Sequence, residues 1–141
     1  MDNRIRSILI VLMVCLHGCT QPGPPVAPGR IIASGTVTLD GQPLGWGEII
    51  FFHRDPDIDP LDSEFATAIS RGTFEVEIVP GTYRVEIRQW ESESSEASDG
   101  TPGSAIQRLP KRYNDDSELN ATVDDENMKL RFDLVSSPAK S

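Results

Sequence analysis

The chain has 141 residues and a formal net charge of −9, from 22 acidic and 13 basic side chains. This length suits one domain. The acidic balance argues against nucleic acid as a partner, because affinity for nucleic acid comes largely from Lys and Arg that displace counterions from phosphates. Hydrophobic residues make up 38% of the chain and occur in short alternating runs, which is typical of a small globular domain rather than of a disordered acidic chain.

The N-terminus has the features of an export signal. Arg4 and Arg6 precede an apolar stretch over residues 8–16, which is too short to span a membrane as a helix. We therefore predict a signal peptide, and the resemblance described next implies that it comprises residues 1–18 and that Cys19 is the first residue after it.

The end of this segment, Leu16-His17-Gly18-Cys19, resembles the lipobox of bacterial lipoproteins. In that family the Cys is lipidated and becomes the mature N-terminus, and His17 occupies a place where the family usually has a small residue. The resemblance implies that Cys19 carries the lipid and holds the protein at the cell membrane or outer membrane, facing the periplasm or the cell exterior. The alternative is a conventional signal peptide in which Cys19 is incidental.

The residues after the lipobox predict a tether followed by the folded domain. Residues 20–29, TQPGPPVAPG, hold four prolines and two glycines, a composition that stays extended and cannot pack a core. We therefore assign residues 19–30 to the lipidated Cys and a tether, residues 31–135 to a β-sandwich domain, and residues 136–141 to a disordered tail.

Apolar periodicity predicts about seven strands in the domain. These strands fall within residues 31–39, 47–53, 65–70, 74–78, 83–88, 119–123 and 128–134. Turns are predicted at Asp40-Gly41, Ser70-Arg71-Gly72 and Pro80-Gly81, and residues 91–104, which lack large apolar side chains, are predicted to form an exposed loop. Short strands separated by turn signals favour an all-β fold, a Greek-key sandwich of about seven strands.

The alternation also predicts which side chains face inward. The predicted core residues are Val37, Leu39, Ile49, Phe51, Phe74, Val76, Tyr83, Val85, Leu130 and Phe132. Tyr113 is expected to pack against this core with its hydroxyl bonded to nearby backbone. On the solvent side, Glu75 and Glu77 are expected to face Arg84, Glu86 and Arg88 across neighbouring strands.

Several segments of the chain resemble one family of bacterial proteins. The segments are Gly35 to Leu44 (GTVTLDGQPL), Gly72 to Phe74 (GTF), Pro80 to Val85 (PGTYRV), Leu109 to Asn114 (LPKRYN) and Phe132 to Leu134 (FDL). They resemble the small planctomycete lipoproteins with a carboxypeptidase regulatory-like domain. The resemblance implies a transthyretin-like (prealbumin-type) Greek-key sandwich and an accessory or binding module without catalytic residues.

The residues favour a non-enzymatic protein without a cofactor. His53 is the only histidine after the predicted signal peptide, whereas zinc sites usually need several imidazoles or thiolates. No G-x-S-x-G elbow places a serine as a nucleophile beside His53, and no pair of carboxylates is marked for glycoside hydrolysis. We therefore expect His53 to be a surface side chain at the end of a strand.

Two sets of residues remain as candidate binding sites. Asp55, Asp57 and Asp59 offer oxygen ligands at the alternating spacing that suits Ca²⁺, but prolines stiffen this loop and a solvated acidic loop is the preferred interpretation. Trp46 and Trp90 could form a platform on which sugars stack. Large aromatic side chains usually bury most of their area, which favours a packing role for both.

The sequence therefore supports three hypotheses of function. The first is a membrane-anchored, non-enzymatic β-sandwich lipoprotein that acts as an interaction or structural module of the cell envelope, with an envelope protein or a glycan as possible partner. The second is a carbohydrate- or calcium-dependent binding domain. The third is an accessory domain of an envelope enzyme assembly.

Overall fold

The computed structural model describes residues 25–92 and 105–137 and confirms an all-β domain. The strands in these ranges are β1 (Ile31–Leu39), β2 (Gln42–Pro43), β3 (Trp46–His53), β4 (Glu64–Ser70), β5 (Thr73–Ile78), β6 (Gly81–Arg88), β7 (Trp90–Ser92), β8 (Ala105–Gln107), β9 (Leu119–Val123) and β10 (Lys129–Leu134). Short 3₁₀ turns occupy Pro60–Asp62 and Lys111–Tyr113. The seven predicted strands are the seven longest, and the sequence pattern missed only β2, β7 and β8, which have two or three residues each.

Strand pairing produces a curled main sheet in the order β10-β1-β5-β4-β3-β6-β9, in which β2 also pairs with β1, and a separate two-stranded sheet of β7 and β8. β4 and β5 pair only at Ser70 and Thr73, next to their hairpin turn, so the sheet folds over at that point and its two halves enclose the core. The order β6-β3-β4-β5 places the fourth strand of an antiparallel series beside the first, which is the Greek-key arrangement. The predicted Greek-key sandwich is thus confirmed.

The first and last strands of the domain pair with each other in parallel. Val37 of β1 lies opposite Phe132 of β10 in this pair. Parallel neighbours need a long connection, and here the connection is nearly the whole domain. The main sheet is therefore complete only after the C-terminal strand β10 has paired with β1.

The predicted core is confirmed. Eight of the ten predicted side chains are buried, and Leu39 and Leu130 are partly buried and packed against them. Phe51 lies at the centre, with its ring centroid 5.9 Å from those of both Phe74 and Tyr83. Residues 49–51 of β3 are buried on both faces of the sheet, and on the outer face Arg84 lies over the Phe52 ring, 4.6 Å from its centroid.

Two hairpin turns have the same backbone geometry. Asp40 and Gly41 have φ of 51° and 79°, and Arg71 and Gly72 have φ of 52° and 75°. Two successive residues with positive φ in a two-residue loop are typical of type I′ hairpins, whose twist matches that of the strands. Both turns were predicted, and Gly72 also lies so close to Pro43 that a Cβ there would be 2.7 Å from the proline side chain.

Two tyrosines connect strand ends to the core. The Tyr83 hydroxyl donates to the Val79 carbonyl at 2.6 Å, a bond to backbone a few residues upstream that also occurs at corners of Greek-key sandwiches. Tyr113 is buried, and its hydroxyl accepts the Val135 N–H at 3.0 Å, as predicted. Beside it, the buried Asn114 amide donates to two carbonyl groups of the preceding turn.

The expected charge pairs between β5 and β6 are wrong, because these strands are not neighbours and β5 pairs with β1 instead. Glu86 is only 4% exposed and binds two arginines of its own strand. Arg84 Nη1 and Arg88 Nη2 each donate to one of its carboxylate oxygens at 2.6 Å. A carboxylate in this position is tolerated because both oxygens receive charged donors.

The residues that flank the strands of the domain, Arg30 and Ser136, make specific contacts with it. Arg30, at the end of the predicted tether, binds Asp62 at 2.6 Å and lies over the Phe65 ring, 5.2 Å from its centroid. Ser136, in the predicted tail, donates its N–H to Asp40 Oδ1 at 3.0 Å.

The predicted signal peptide and Cys19 lie outside the described residues, as does most of the predicted loop, residues 93–104. Within the described ranges, none of the helical segments has the length and hydrophobicity that a membrane crossing requires.

Candidate functional site

Trp46 and Trp90 line one groove on the outer face of the curled sheet. Trp46 begins β3 and Trp90 begins β7, directly beyond the end of β6. In the β3–β6 pair Glu48 lies opposite Arg88, and continuing this register by two residues brings the two tryptophans to neighbouring positions. Residues two apart in a strand share a face, so the register explains why side chains 44 positions apart meet at one groove.

Both indoles expose a large part of their surface. Trp46 is 54% exposed and Trp90 is 38% exposed. The expectation that packing would bury most of each tryptophan is therefore wrong for Trp46. Exposed tryptophan is costly in contact with water, and two such rings at one groove are typical of a binding surface rather than of a packed edge.

Small side chains form the floor of the groove. Ala66 and Ala68 of β4 lie opposite Ile50 and Glu48 of β3, and both alanines are exposed. Larger residues at these positions would fill the space between the tryptophans and the sheet. With alanine there, the groove has a volume of about 360 Å³, which lies in the range of small-molecule sites.

The same strand offers backbone hydrogen-bonding groups. Apart from its last residue, β4 has no strand partner on the β5 side among the described residues. The His53 N–H donates to the Ser63 carbonyl, and hydrogen-bonded positions alternate along an antiparallel pair. By this alternation the N–H and C=O groups of Ala66 and Ala68 point away from β3, where they can bind a ligand.

A second, more polar compartment of about 160 Å³ shares both tryptophans. It is lined by Gln89, Glu91 and Arg108, and Arg108 forms an ion pair with Glu91. The Gln107 side chain holds this region in place, since its Oε1 accepts the Gln89 N–H at 2.8 Å. The tryptophans therefore separate an open compartment from a polar one.

The arrangement combines the features that a sugar chain requires. A pyranose has a C–H-rich face that packs on an indole ring and a rim of hydroxyls that need donors and acceptors. Here the rings are Trp46 and Trp90, and the polar groups are the Glu48 carboxylate, the Glu91–Arg108 pair and the free backbone of β4. The two compartments adjoin the same tryptophans, so a ligand larger than one ring can contact both an apolar and a polar surface.

Two of the three aspartates of the predicted calcium candidate, Asp55 and Asp59, bind backbone N–H groups of the loop through their carboxylates. Asp55 Oδ1 accepts the Asp57 N–H at 3.0 Å, and Asp59 Oδ1 caps the following 3₁₀ turn through the Leu61 N–H at 2.9 Å. Among the described residues no group of three or more His, Cys, Asp or Glu side chains is placed to hold a metal ion. The structure brings these aspartates into successive turns and not around one point.

His53 and the basic residues near residue 110 also have local partners. His53 Nδ1 accepts the Asp55 N–H at 3.0 Å, and its ring lies edge-on to Tyr83 with centroids 4.9 Å apart. Arg112 lies over the Tyr113 ring, 4.7 Å from its centroid, and donates to the Val135 carbonyl. These contacts give His53 and Arg112 a role in packing.

Several displaced pKa values have causes within the fold. Hydrogen bonds from the Asn127 side chain lower the pKa of Asp124, which closes the turn between β9 and β10. The Arg131 side chain lowers the pKa of Asp133, with a further hydrogen bond from Thr38. Burial raises the pKa of the Tyr83 hydroxyl, and the nearby Asp62 charge adds to that increase.

Another groove, of about 420 Å³, lies on the other half of the sheet and is lined by residues that include Thr36, Lys129 and Arg131. Its only aromatic side chain, Phe74, is buried, and Arg131 Nε is already bonded to Asp133 at 2.7 Å. The two-tryptophan groove is smaller but presents exposed rings and unpaired polar groups. It is therefore the stronger candidate.

Comparison of the chain with protein-family models, curated proteins and solved structures gave no match. Function must therefore be inferred from the geometry of the groove. Sequence reasoning selected Trp46 and Trp90 but missed Glu48, Ala66 and Ala68. The register between neighbouring strands would have identified these residues, but it cannot be derived from any single segment of the sequence.

Proposed function

We propose that this protein is a non-enzymatic, lipid-anchored module of the cell envelope that binds glycans in the two-tryptophan groove. The observation that carries the proposal is the joint exposure of Trp46 and Trp90 at one groove. Exposed rings, a small-residue floor and unpaired polar groups together favour a ligand with both apolar faces and hydroxyls.

A binding role also suits the way the groove is built. Trp46 and the alanine floor lie on paired strands of the sheet, β3 and β4, so the groove exists before a ligand arrives. A preformed site avoids the entropy cost of ordering side chains on binding. The groove lies on the outer face of the sheet, so a long chain can cross it without entering the core.

The proposed anchor rests on the lipobox-like segment that ends in Cys19. One acyl chain gives only marginal membrane attachment, whereas two or three give stable attachment. A Pro- and Gly-rich tether after Cys19 would keep the domain away from the bilayer and leave the groove accessible.

Replacing Cys19 with serine tests the anchor. We expect wild-type protein isolated from membranes to carry added lipid mass on its N-terminal peptide, and Cys19→Ser protein to carry none. Mass spectrometry of the N-terminal peptide measures this directly. An unmodified peptide from the wild type would contradict the lipid anchor and favour ordinary secretion with cleavage near Gly18.

Replacing either tryptophan with alanine tests the groove. We expect Trp46→Ala and Trp90→Ala each to weaken binding of a soluble hexasaccharide at least about tenfold, since each removes a stacking surface worth about 1.4 kcal/mol or more. Suitable probes are the hexamers of glucose, N-acetylglucosamine and glucosamine linked β-1,4, with binding followed by calorimetry and by indole fluorescence.

Leu61→Ala is the matched control, because Leu61 is an exposed apolar side chain outside the groove. It should leave binding unchanged, and all three variants should keep the melting temperature of the wild type within a few degrees. The proposal fails if none of the hexamers binds the wild type, or if binding is the same in the tryptophan variants.

A further inference from the structure

One carboxylate of the groove has no cationic partner in the described part of the chain. Glu48 is exposed in the groove, directly opposite Arg88 in the β3–β6 pair. Arg88 nevertheless donates to Glu86 at 2.6 Å and lies 3.7 Å from Asp115, and it forms no ion pair with Glu48. The negative charge of Glu48 is thus available to a ligand.

The other carboxylate near the tryptophans differs in this respect. Glu91 is paired with Arg108 in the polar compartment, so its charge is balanced within the protein. The polar compartment therefore holds an ion pair, whereas the groove holds a carboxylate that is in no ion pair with another described residue.

The surroundings of Glu48 add to the attraction for a cation. Trp46 lies two residues earlier on the same strand face, about 7 Å away along the strand. The face of an indole ring attracts cations through its quadrupole, more strongly than the other aromatic side chains do. The net charge of the chain, −9, attracts cations over a longer range.

We propose that the groove selects glycans that carry free amino groups, so that a sugar ring packs on the tryptophans while its ammonium group binds Glu48. This inference rests on the proposed function and specifies its ligand class. The balanced Glu91–Arg108 pair then receives hydroxyls of a neighbouring sugar. Neutral glycans of the same length bind through the rings alone, and therefore more weakly.

Three hexamers with the same β-1,4 linkage separate ring stacking from charge. They are the hexamer of glucosamine, its fully N-acetylated counterpart and the hexamer of glucose. Full-length protein is held in a polyoxyethylene detergent, which has no sugar headgroup, and binding is measured by calorimetry at mildly acidic pH, where the sugar amines are protonated. We expect the glucosamine hexamer to bind roughly fivefold to tenfold more tightly than the other two, from one partly exposed ion pair and a cation–π contact.

Glu48→Gln is the decisive variant. It should remove most of the preference for glucosamine and leave the affinity for the two neutral hexamers within about twofold of the wild type. Glu75→Gln is the matched control, since it removes one exposed carboxylate from the other half of the sheet, and it should keep the preference. Raising the salt concentration should reduce the preference and leave neutral binding nearly unchanged.

Each other outcome overturns a defined part of the proposal. Equal binding of all three hexamers overturns the amine preference and leaves the glycan-binding function in place. An amine preference that survives in Glu48→Gln, or that is lost equally in Glu75→Gln, shows that net charge rather than the groove attracts the ligand and overturns the role of Glu48. If a lysine hexapeptide binds as tightly as the glucosamine hexamer, the groove responds to charge without a sugar, and the inference is wrong. Failure of all three hexamers overturns both the inference and the proposed function.

Discussion

Replacing Gly35 with alanine is expected to destabilise the domain by about 3 kcal/mol, at the upper end of the usual cost of overpacking. Gly35 lies in the middle of β1, between Phe74 on β5 and Leu130 on β10. A Cβ at this position would lie 2.5 Å from the Leu130 carbonyl oxygen and 2.6 Å from the Phe74 ring. The carbonyl belongs to the strand backbone, so the contact can be relieved only by moving β10 away from β1.

Gly45→Ala is the control for this substitution. Gly45 has no positive φ, and a Cβ there would meet no atom within 4 Å. We expect this variant to be neutral or slightly stabilising, because alanine reduces the entropy of the unfolded chain. Equilibrium denaturation in urea measures both variants, and a Gly35→Ala protein within about 0.5 kcal/mol of the wild type would contradict the close β1–β10 packing.

Replacing Phe132 with alanine is expected to cost about 3–5 kcal/mol, the usual range for removing a buried phenylalanine. Phe132 is 6% exposed, and its ring centroid lies 6.2 Å from that of Phe74. It projects inward from β10, which pairs with β1 alone. The substitution therefore leaves a cavity and also weakens the contact that holds the last strand in the sheet.

Arg131→Ala, at the position before Phe132, is the control that shows whether β10 is sensitive to any substitution. Arg131 points outward and binds Asp133 at 2.7 Å on an exposed surface. Exposed ion pairs contribute little, so Arg131→Ala should destabilise the domain far less than Phe132→Ala does. Thermal and urea unfolding report both values, and similar costs for the two variants would contradict the inward orientation of Phe132.

Most of the fold could be predicted from the sequence because its strands follow a local rule. In a strand that borders the core, side chains alternate between core and solvent, so residues such as Phe74, Val76 and Ile78 reveal both the strand and its inner face. The Asp40-Gly41 and Arg71-Gly72 turns could be predicted from their glycines, because glycine adopts the positive φ of the second turn position without steric cost. Strands of two or three residues carry too little periodicity to be detected.

The pairing of strands could not be predicted in the same way. The alternation of Glu75 and Glu77 is equally compatible with β6 and with β1 as a neighbour, and the structure pairs β5 with β1. The same holds for Glu86, which the pattern assigns to solvent but which lies buried between Arg84 and Arg88 of its own strand. Which strands are neighbours depends on how the whole chain excludes water from one core, and this is not a property of any single segment.

The sequence by itself determined the all-β class, the core residues, the turns and the two tryptophans as candidates. Only the tertiary structure decided that Trp46 and Trp90 share a groove, that alanines form its floor and that Glu48 forms no ion pair with another described residue. The physical reason is that the alternation of core-facing and solvent-facing side chains can be recognised within a few residues of one strand. A site on a sheet, in contrast, is assembled from side chains of several strands. Its composition depends on register, and a shift of one residue would turn each of these side chains to the opposite face.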